Sequence, residues 1–203
     1  MSDKKFDFNV FIADSLKSLQ DPTGYFGSLK TSGGFEQPVI KALIYGAVAG
    51  IINYIWVVAG LSIAGFGLFG AAAGPMMIFG SVIGALIGLF IGGVIMLIFS
   101  AICSGNTDYE ANVRVTASLM VLMPLSAVVN LLHVLSPVLV SILSIVINAY
   151  GLWMLYNALI QTLKAKESSV KILVIVLLVI FVFFALLGLL LGTFVKSLDG
   201  YNF

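Results

Sequence analysis

Residues 172–195 read ILVIVLLVIFVFFALLGLLLGTFV, an unbroken apolar run without a charged side chain. A helix needs about 20 apolar residues to cross the hydrocarbon core of a bilayer. In that environment a single segment can satisfy all of its backbone hydrogen bonds only as a helix. The run therefore predicts a transmembrane helix, and it sets the fold class for the whole chain.

Four further apolar stretches of comparable length precede this run. They are separated by a polar loop at 104–112, a Ser136-Pro137 turn and a charged loop at 164–171. Residues 61–75 are uncharged and rich in Gly and Ala, which leaves a re-entrant turn, a broken extension of a neighbouring span and a lipid-hugging loop all open. We predict spans at about 38–60, 76–102, 113–134, 138–163 and 172–195.

The composition agrees with a membrane protein. Hydrophobic residues make up 61% of the chain and charged residues 9%, whereas soluble domains carry about 25% charged residues. A net charge of +1 gives no sign of a nucleic-acid partner. The single cysteine, Cys103, excludes an internal disulfide.

The N-terminal residues predict short amphipathic helices. Apolar side chains at Phe8, Phe11 and Ile12 continue at i+8 and i+11 and fall on one helical face. That face indicates a helix lying on the membrane surface, and the alternative is a helix packed on the protein's own cytoplasmic face. Asp21 and Pro22 favour the start of a second helix, because aspartate caps a helix and proline suits its first turn. The predicted membrane-surface residues are Phe8, Phe11, Ile12, Tyr25 and Phe26.

The sequence thus predicts an all-α membrane protein with two parts. Residues 1–36 form a cytoplasmic amphipathic segment, and residues 37–203 form a bundle of five transmembrane helices. Lysine and arginine gather before the first span, at Arg114 and in the 164–171 loop, all on one side if five spans alternate. Such residues mark the cytoplasmic side, so we expect the N-terminus in the cytoplasm and the C-terminus outside or in the lumen.

Glycine recurs at every fourth position of the second span. A stripe of this kind lets another helix backbone approach closely. We expect an internal neighbour, with Gly46 and Gly50 of the first span as the natural counter-face, and another copy of the chain is the alternative. The stripe consists of Gly80, Gly84, Gly88 and Gly92.

Other features inside the spans are few. Pro124 should kink the third span, because proline lacks an N–H and clashes with the preceding turn. Asn148 and Asn157 are predicted to hydrogen-bond between helices, and the alternative is a polar pathway lined by Asn148, Tyr150 and Asn157. Glu110 and Arg114 are four residues apart, the spacing of a helical ion pair.

No arrangement of residues points to catalysis. The sequence has no Cys–His pair at useful spacing, no metal-ligand cluster and no phosphate-binding glycine loop. The spans carry no carboxylate near the midplane, which speaks against an ion-coupled transporter. We therefore expect a non-enzymatic protein without a cofactor.

Three segments resemble the Yip-domain family, the membrane proteins named for interaction with Ypt and Rab GTPases. They are the DPTGYFGSL segment at 21–29, the polar loop and proline-containing span at 105–124, and INAYGLW at 147–153. The resemblance implies a five-helix bundle, a cytoplasmic N-terminus and a role in membrane organisation or trafficking. The family's eukaryotic cytoplasmic motif, aspartate-leucine-tyrosine-glycine-proline, is not intact, which puts GTPase binding by this chain in doubt.

Two functional hypotheses follow. The first is a scaffold or adaptor that works through the N-terminal segment and the 164–171 loop. The alternative is a small-solute or ion pore built around the glycine-rich second span. The expected partners are the lipid bilayer and other membrane proteins or a second copy of the chain.

Overall fold

The computed structural model describes residues 6–59, 74–134 and 136–199, and these residues form helices joined by short loops, without a β-strand among them. The predicted all-α class is confirmed. Of the ambiguous 61–75 stretch, only Gly74 and Pro75 are described, as the first residues of a helix. The alternatives for the rest of that stretch lie outside the described residues.

Two short helices precede the spans, α1 (Phe8–Gln20) and α2 (Pro22–Ser28). Asp7 caps α1 by accepting hydrogen bonds from two backbone N–H groups of its first turn. Asp21 caps α2 by accepting from the N–H of Gly24 at 2.9 Å. The start predicted for the second helix is therefore confirmed.

Five stretches of the chain are long and apolar enough to cross a membrane. They are formed by α3 (Glu36–Val58), α4 (Gly74–Ile102), α5 (Tyr109–Leu119) with α6 (Leu122–Asn130), α7 (Pro137–Asn157) with a π-helical turn (Ala158–Thr162), and α8 (Glu167–Asp199). The third span begins earlier than predicted, because Asp108 accepts from the N–H of Ala111 and caps α5. The fifth begins at Glu167 instead of residue 172.

The third span is divided at Met120 and Val121, just before Pro124. In a continuous helix the carbonyl of Met120 would face Pro124, which has no N–H to donate. The N–H of Met123 donates to that carbonyl instead, at 2.9 Å. The chain therefore ends one helix and begins another inside the span.

The helices of the bundle differ in how extensively they pack against one another. Helix α3 packs along α4 and also against α6, where the indole N–H of Trp56 donates to the carbonyl of Ala127 at 3.1 Å. Helix α8 lies at the edge of the bundle beside α7. Its outward Ile, Val and Phe side chains are exposed, as expected for a surface that faces lipid.

The main hydrophobic core lies at one end of the bundle. It joins Phe26 of α2 to Val115 of α5, Met154 of α7 and Val170 of α8. All four side chains are fully buried. The N-terminal helices are thus part of the core and not an appendage to it.

Candidate functional site

Two loops meet at the end of the bundle that holds the N-terminal helices. The N–H of Asn106 donates to the carbonyl of Leu163 at 2.7 Å, and the N–H of Lys166 donates to the carbonyl of Cys103 at 2.8 Å. Gly105 is needed at this junction, because a Cβ there would lie 2.6 Å from the Oγ of Ser100. The loops after α4 and after the π-helical turn therefore form one continuous surface.

Helix α2 is attached to the end of the fourth span by two hydrogen bonds. The hydroxyl of Thr162 donates to the carbonyl of Phe26 at 2.7 Å. The hydroxyl of Thr23 donates to the Oδ1 of Asn157 at 2.8 Å. Because the Phe26 ring is fully buried beside them, α2 is fixed by both polar and apolar contacts.

A chain of hydrogen bonds joins α2 to α3 and α5. The ammonium of Lys41 donates to the hydroxyl oxygen of Tyr25 at 2.8 Å, and the Tyr25 oxygen lies 2.9 Å from the Oγ of Ser118. Ser118 in turn donates to the carbonyl of Arg114 at 3.1 Å. Since Ser118 uses its only hydrogen in that bond, Tyr25 is the donor to Ser118.

An ion pair holds the linker between α2 and α3. The Nε of Arg114 lies 3.0 Å from the Oε1 of Glu110, so the predicted helical pair is confirmed. The same two side chains bind the backbone of Gly34: Arg114 donates to its carbonyl and Glu110 accepts from its N–H, each at 2.7 Å. Gly33 and Gly34 adopt φ values of 128° and 85°, which glycine tolerates best.

Helix α1 rests on the bundle by one face. The ring of Phe11 contacts that of Tyr45 with centroids 5.2 Å apart, and the Tyr45 hydroxyl lies 2.7 Å from the Oγ of Ser15. The hydroxyl of Tyr150 donates to the carbonyl of Leu19. These contacts place α1 against α3 and α7.

The membrane-surface assignment needs correction for three of its five residues. Phe11, Tyr25 and Phe26 are buried against the chain's own helices. Phe8 and Ile12 are 58% and 42% exposed. The protein's own helices cover one edge of the apolar face of α1, and the other edge stays open.

The glycines of the first span allow close packing on α4. A Cβ at Gly46 would lie 2.7 Å from the Cβ of Ala85, and one at Gly50 would lie 3.0 Å from the Cα of Ile78. The hydroxyl of Ser81 donates to the carbonyl of Gly46 at 2.8 Å. The face of α4 that meets Gly46 and Gly50 is therefore not its glycine stripe.

Among the described residues, the stripe itself largely lacks the internal neighbour that we predicted. At Gly80, Gly84 and Gly88, a Cβ would meet no described atom within 4 Å. Only Gly92 is closely packed, with a Cβ position 2.8 Å from the Cγ2 of Thr116. The expectation of an internal partner is corrected for the first three positions, because α3 packs on the adjacent face of α4.

The three polar residues proposed for a pathway do not meet. Asn148 is exposed and donates to the carbonyl of Ser144 at 2.7 Å. Tyr150 binds α1 and Asn157 binds α2, as described above. Two of the three thus hold the N-terminal helices in place.

A cavity of about 530 Å³ opens beside these attachments, between α1, the linker and the beginning of α3. Lys41 and Arg114 are among the residues that line it. In the part of the chain that is described, no three His, Cys, Asp or Glu side chains lie close enough together to hold a metal ion. Sequence reasoning missed this cavity, since its lining residues come from four helices and the linker.

Comparison with known protein families matches residues 16–190 to the Yip1 domain. No curated protein and no solved structure gives a significant match. The family match covers most of the chain and includes α2 and all five spans. The chain belongs to the Yip1 domain family.

Proposed function

We propose that this integral membrane protein is a non-enzymatic scaffold or adaptor in membrane organisation or trafficking. Its working surface is the platform formed by α1, α2 and the loops at 103–108 and 163–166. The observation that carries the proposal is the way in which three spans hold this platform while part of α1 remains open. Lys41 of the first span, Ser118 of the third and Thr162 of the fourth each form a hydrogen bond with α2.

The platform is arranged before any partner arrives. A surface that is already ordered loses less conformational entropy on binding than a flexible segment does. The backbone hydrogen bonds between the loops and the ion pair at Gly34 provide that order. Such an arrangement favours recognition of another macromolecule.

The open part of α1 supplies the contact surface. Phe8, Ile12 and Leu16 lie four residues apart and are all substantially exposed, so they form one apolar stripe. The exposed Lys17 lies beside it. A stripe of this kind either rests in the lipid interface or receives the apolar face of a partner helix.

A photo-crosslinking amino acid at position 12 tests the proposal in native membranes, with the same group at Ile142 of α7 as a lipid-facing control. The expected result is a discrete protein adduct at position 12 that is absent at position 142. Replacing Phe8 and Leu16 by Ser should remove that adduct. Adducts to lipid alone at both positions would contradict an adaptor role.

The alternative is a pore around α4. Space beside its glycine stripe is open among the described residues, because a Cβ at Gly80, Gly84 or Gly88 would meet no described atom within 4 Å. Flux in reconstituted liposomes is the decisive measurement. Solute or ion flux that is lost in Gly84→Leu would favour the pore over the adaptor.

A further inference from the structure

The cavity under α1 has the size and position of a ligand site. Its volume of about 530 Å³ falls within the range of about 300–1,000 Å³ that is common for small-molecule sites. Lys41, the sixth residue of α3, lines it. Because α3 is the first membrane span, the cavity lies close to the level at which lipid headgroups would stand.

Lys41 brings a positive charge that no described carboxylate neutralises. Its half-buried ammonium donates to the neutral hydroxyl of Tyr25 at 2.8 Å and forms no ion pair with any described carboxylate. An ammonium has three donors, so further donors remain for a ligand. A partly desolvated cation is stabilised when an anion reaches it.

Arg114 adds donors that are held in position. Its side chain is 5% exposed, and its Nε and Nη2 bind Glu110 and Gly34. Its Nη1 donates to no described residue, although the side chain lines the cavity. A fixed guanidinium edge of this kind matches phosphate oxygens.

Two carboxylate side chains also line the cavity. Asp7 and Asp14 line it, and the carboxylate of Asp7 is already engaged in capping α1. Asp14 forms no ion pair among the described residues, neither with Lys41 nor with another base. The cavity thus holds an ammonium and a carboxylate that do not neutralise each other.

The remaining lining is mixed. Val10 and Phe11 of α1 and Leu29 of the linker belong to its apolar part, and Ser28, Lys30 and Gln37 form its polar part. A lining that combines apolar side chains with separated charges fits an amphiphilic ligand better than a free ion. A free ion would leave the apolar side chains without a contact.

We propose that this cavity binds the headgroup of an aminophospholipid. The phosphate accepts from Lys41 and Arg114, the primary ammonium donates to Asp14, and the first acyl carbons lie along Val10 and Leu29. Phosphatidylethanolamine has both charges. Phosphatidylglycerol lacks the ammonium, and the quaternary ammonium of phosphatidylcholine has no N–H to donate. This inference is independent of the adaptor role.

Native mass spectrometry of the full chain in detergent tests the proposal, with the three lipids added at equal acyl composition. The expected result is preferential retention of phosphatidylethanolamine. Lys41→Gln should weaken binding of all three lipids about tenfold, as expected for the loss of a charged hydrogen bond. Asp14→Asn should remove the preference for phosphatidylethanolamine over both other lipids without weakening the contact of the phosphate with Lys41.

Controls separate this site from general effects. Lys17→Gln makes the same charge change on α1 outside the cavity and should leave binding unchanged, and Lys41→Arg should retain it. Alkylation of the buried Cys103 reports whether each variant is folded. Equal retention of the three lipids, an equal loss in Lys17→Gln, or displacement of the lipid by millimolar inorganic phosphate would overturn the proposal.

Discussion

The hydroxyl of Tyr25 lies 2.9 Å from the Oγ of Ser118, although the two residues are 93 positions apart in the chain. This buried contact joins α2 to the third span. The Tyr25 oxygen also accepts a hydrogen bond from Lys41, so one phenol group links three elements. This side chain therefore contributes to the attachment of α2 to both the first and the third span.

Removing that hydroxyl should destabilise the protein. We expect Tyr25→Phe to lower the free energy of unfolding by about 1–3 kcal/mol, because Ser118 and Lys41 both lose a partner in a buried setting. Tyr54→Phe is the matched control, since no described residue hydrogen-bonds to Tyr54. Thermal unfolding in detergent is the measurement, and equal midpoints for the two variants would contradict the link.

We expect Arg114 and Glu110, the ion pair that binds Gly34, to contribute cooperatively to the free energy of unfolding. We expect Arg114→Met to cost about 2–3 kcal/mol, because it leaves Glu110 and the Gly34 carbonyl without their cationic partner. Glu110→Gln should cost less, since that side chain is 26% exposed. A double-mutant cycle measures the coupling, and we expect a coupling energy of at least about 0.5 kcal/mol. Strictly additive losses would show that the two residues act separately.

The spans were predictable because the signal is local. A lipid-facing helix is apolar on most sides, so α8 is visible in the composition of its own residues. The start of α2 was predictable for the same reason, since Asp21 acts on the N–H of Gly24, three residues ahead. The third span begins earlier than we predicted. We placed its start after the polar residues 104–112, but Asp108 caps α5, so the helix already begins at Tyr109.

The candidate site could not be predicted, because it depends on contacts between residues that are far apart in the sequence. Thr162 and Phe26 are 136 positions apart, and no periodicity connects them. The apolar face of α1 posed a second difficulty. Such a face is about 100° wide, and the sequence does not reveal which edge the bundle covers. Phe11 lies on the covered edge and Ile12 on the open edge.

Two glycine substitutions should have opposite effects. A methyl group at position 46 would lie 2.7 Å from the Cβ of Ala85, and one at position 84 would meet no described atom. We expect Gly46→Ala to cost about 1–3 kcal/mol by overpacking. Gly84→Ala should be neutral or slightly stabilising, because alanine favours a helix over glycine. Unfolding in detergent compares the two.

Position 84 also reports on self-association. If the open glycine stripe meets a second copy, Gly84→Leu should shift the protein toward the monomer in size-exclusion chromatography with light scattering. An unfolded Gly84→Leu variant would instead indicate an internal neighbour for that position.

Cys103 should react slowly in the folded protein. Its side chain is fully buried, and burial raises the pKa of the thiol. The thiolate is the reactive form, so a maleimide should label Cys103 mainly after unfolding. Rapid labelling of the native protein at neutral pH would contradict this burial.

The raised pKa of the Cys103 thiol also predicts how the stability of the protein changes with pH. The folded state retains the thiol proton more firmly than the unfolded state, in which the pKa is about 8.5. The contribution of Cys103 is therefore complete below that pH and is lost as the pH rises above it. The difference in unfolding free energy between wild type and Cys103→Ala should shrink between neutral and alkaline pH, and a difference that grows would show the opposite sign.

The platform end of the bundle should face the cytoplasm. The hydrogen bond between Thr162 and Phe26 places the N-terminal helices and the loop that contains Lys166 at one end, and lysines gather there as they do on cytoplasmic surfaces. In a Cys103→Ala background, Lys30→Cys and Lys166→Cys should react with an impermeant maleimide only after the cells are permeabilised. Asn130→Cys, at the end of α6, should react in intact cells. A fully inverted pattern would overturn the orientation alone, whereas labelling of positions 30 and 166 from opposite sides would also contradict the contact between Thr162 and Phe26.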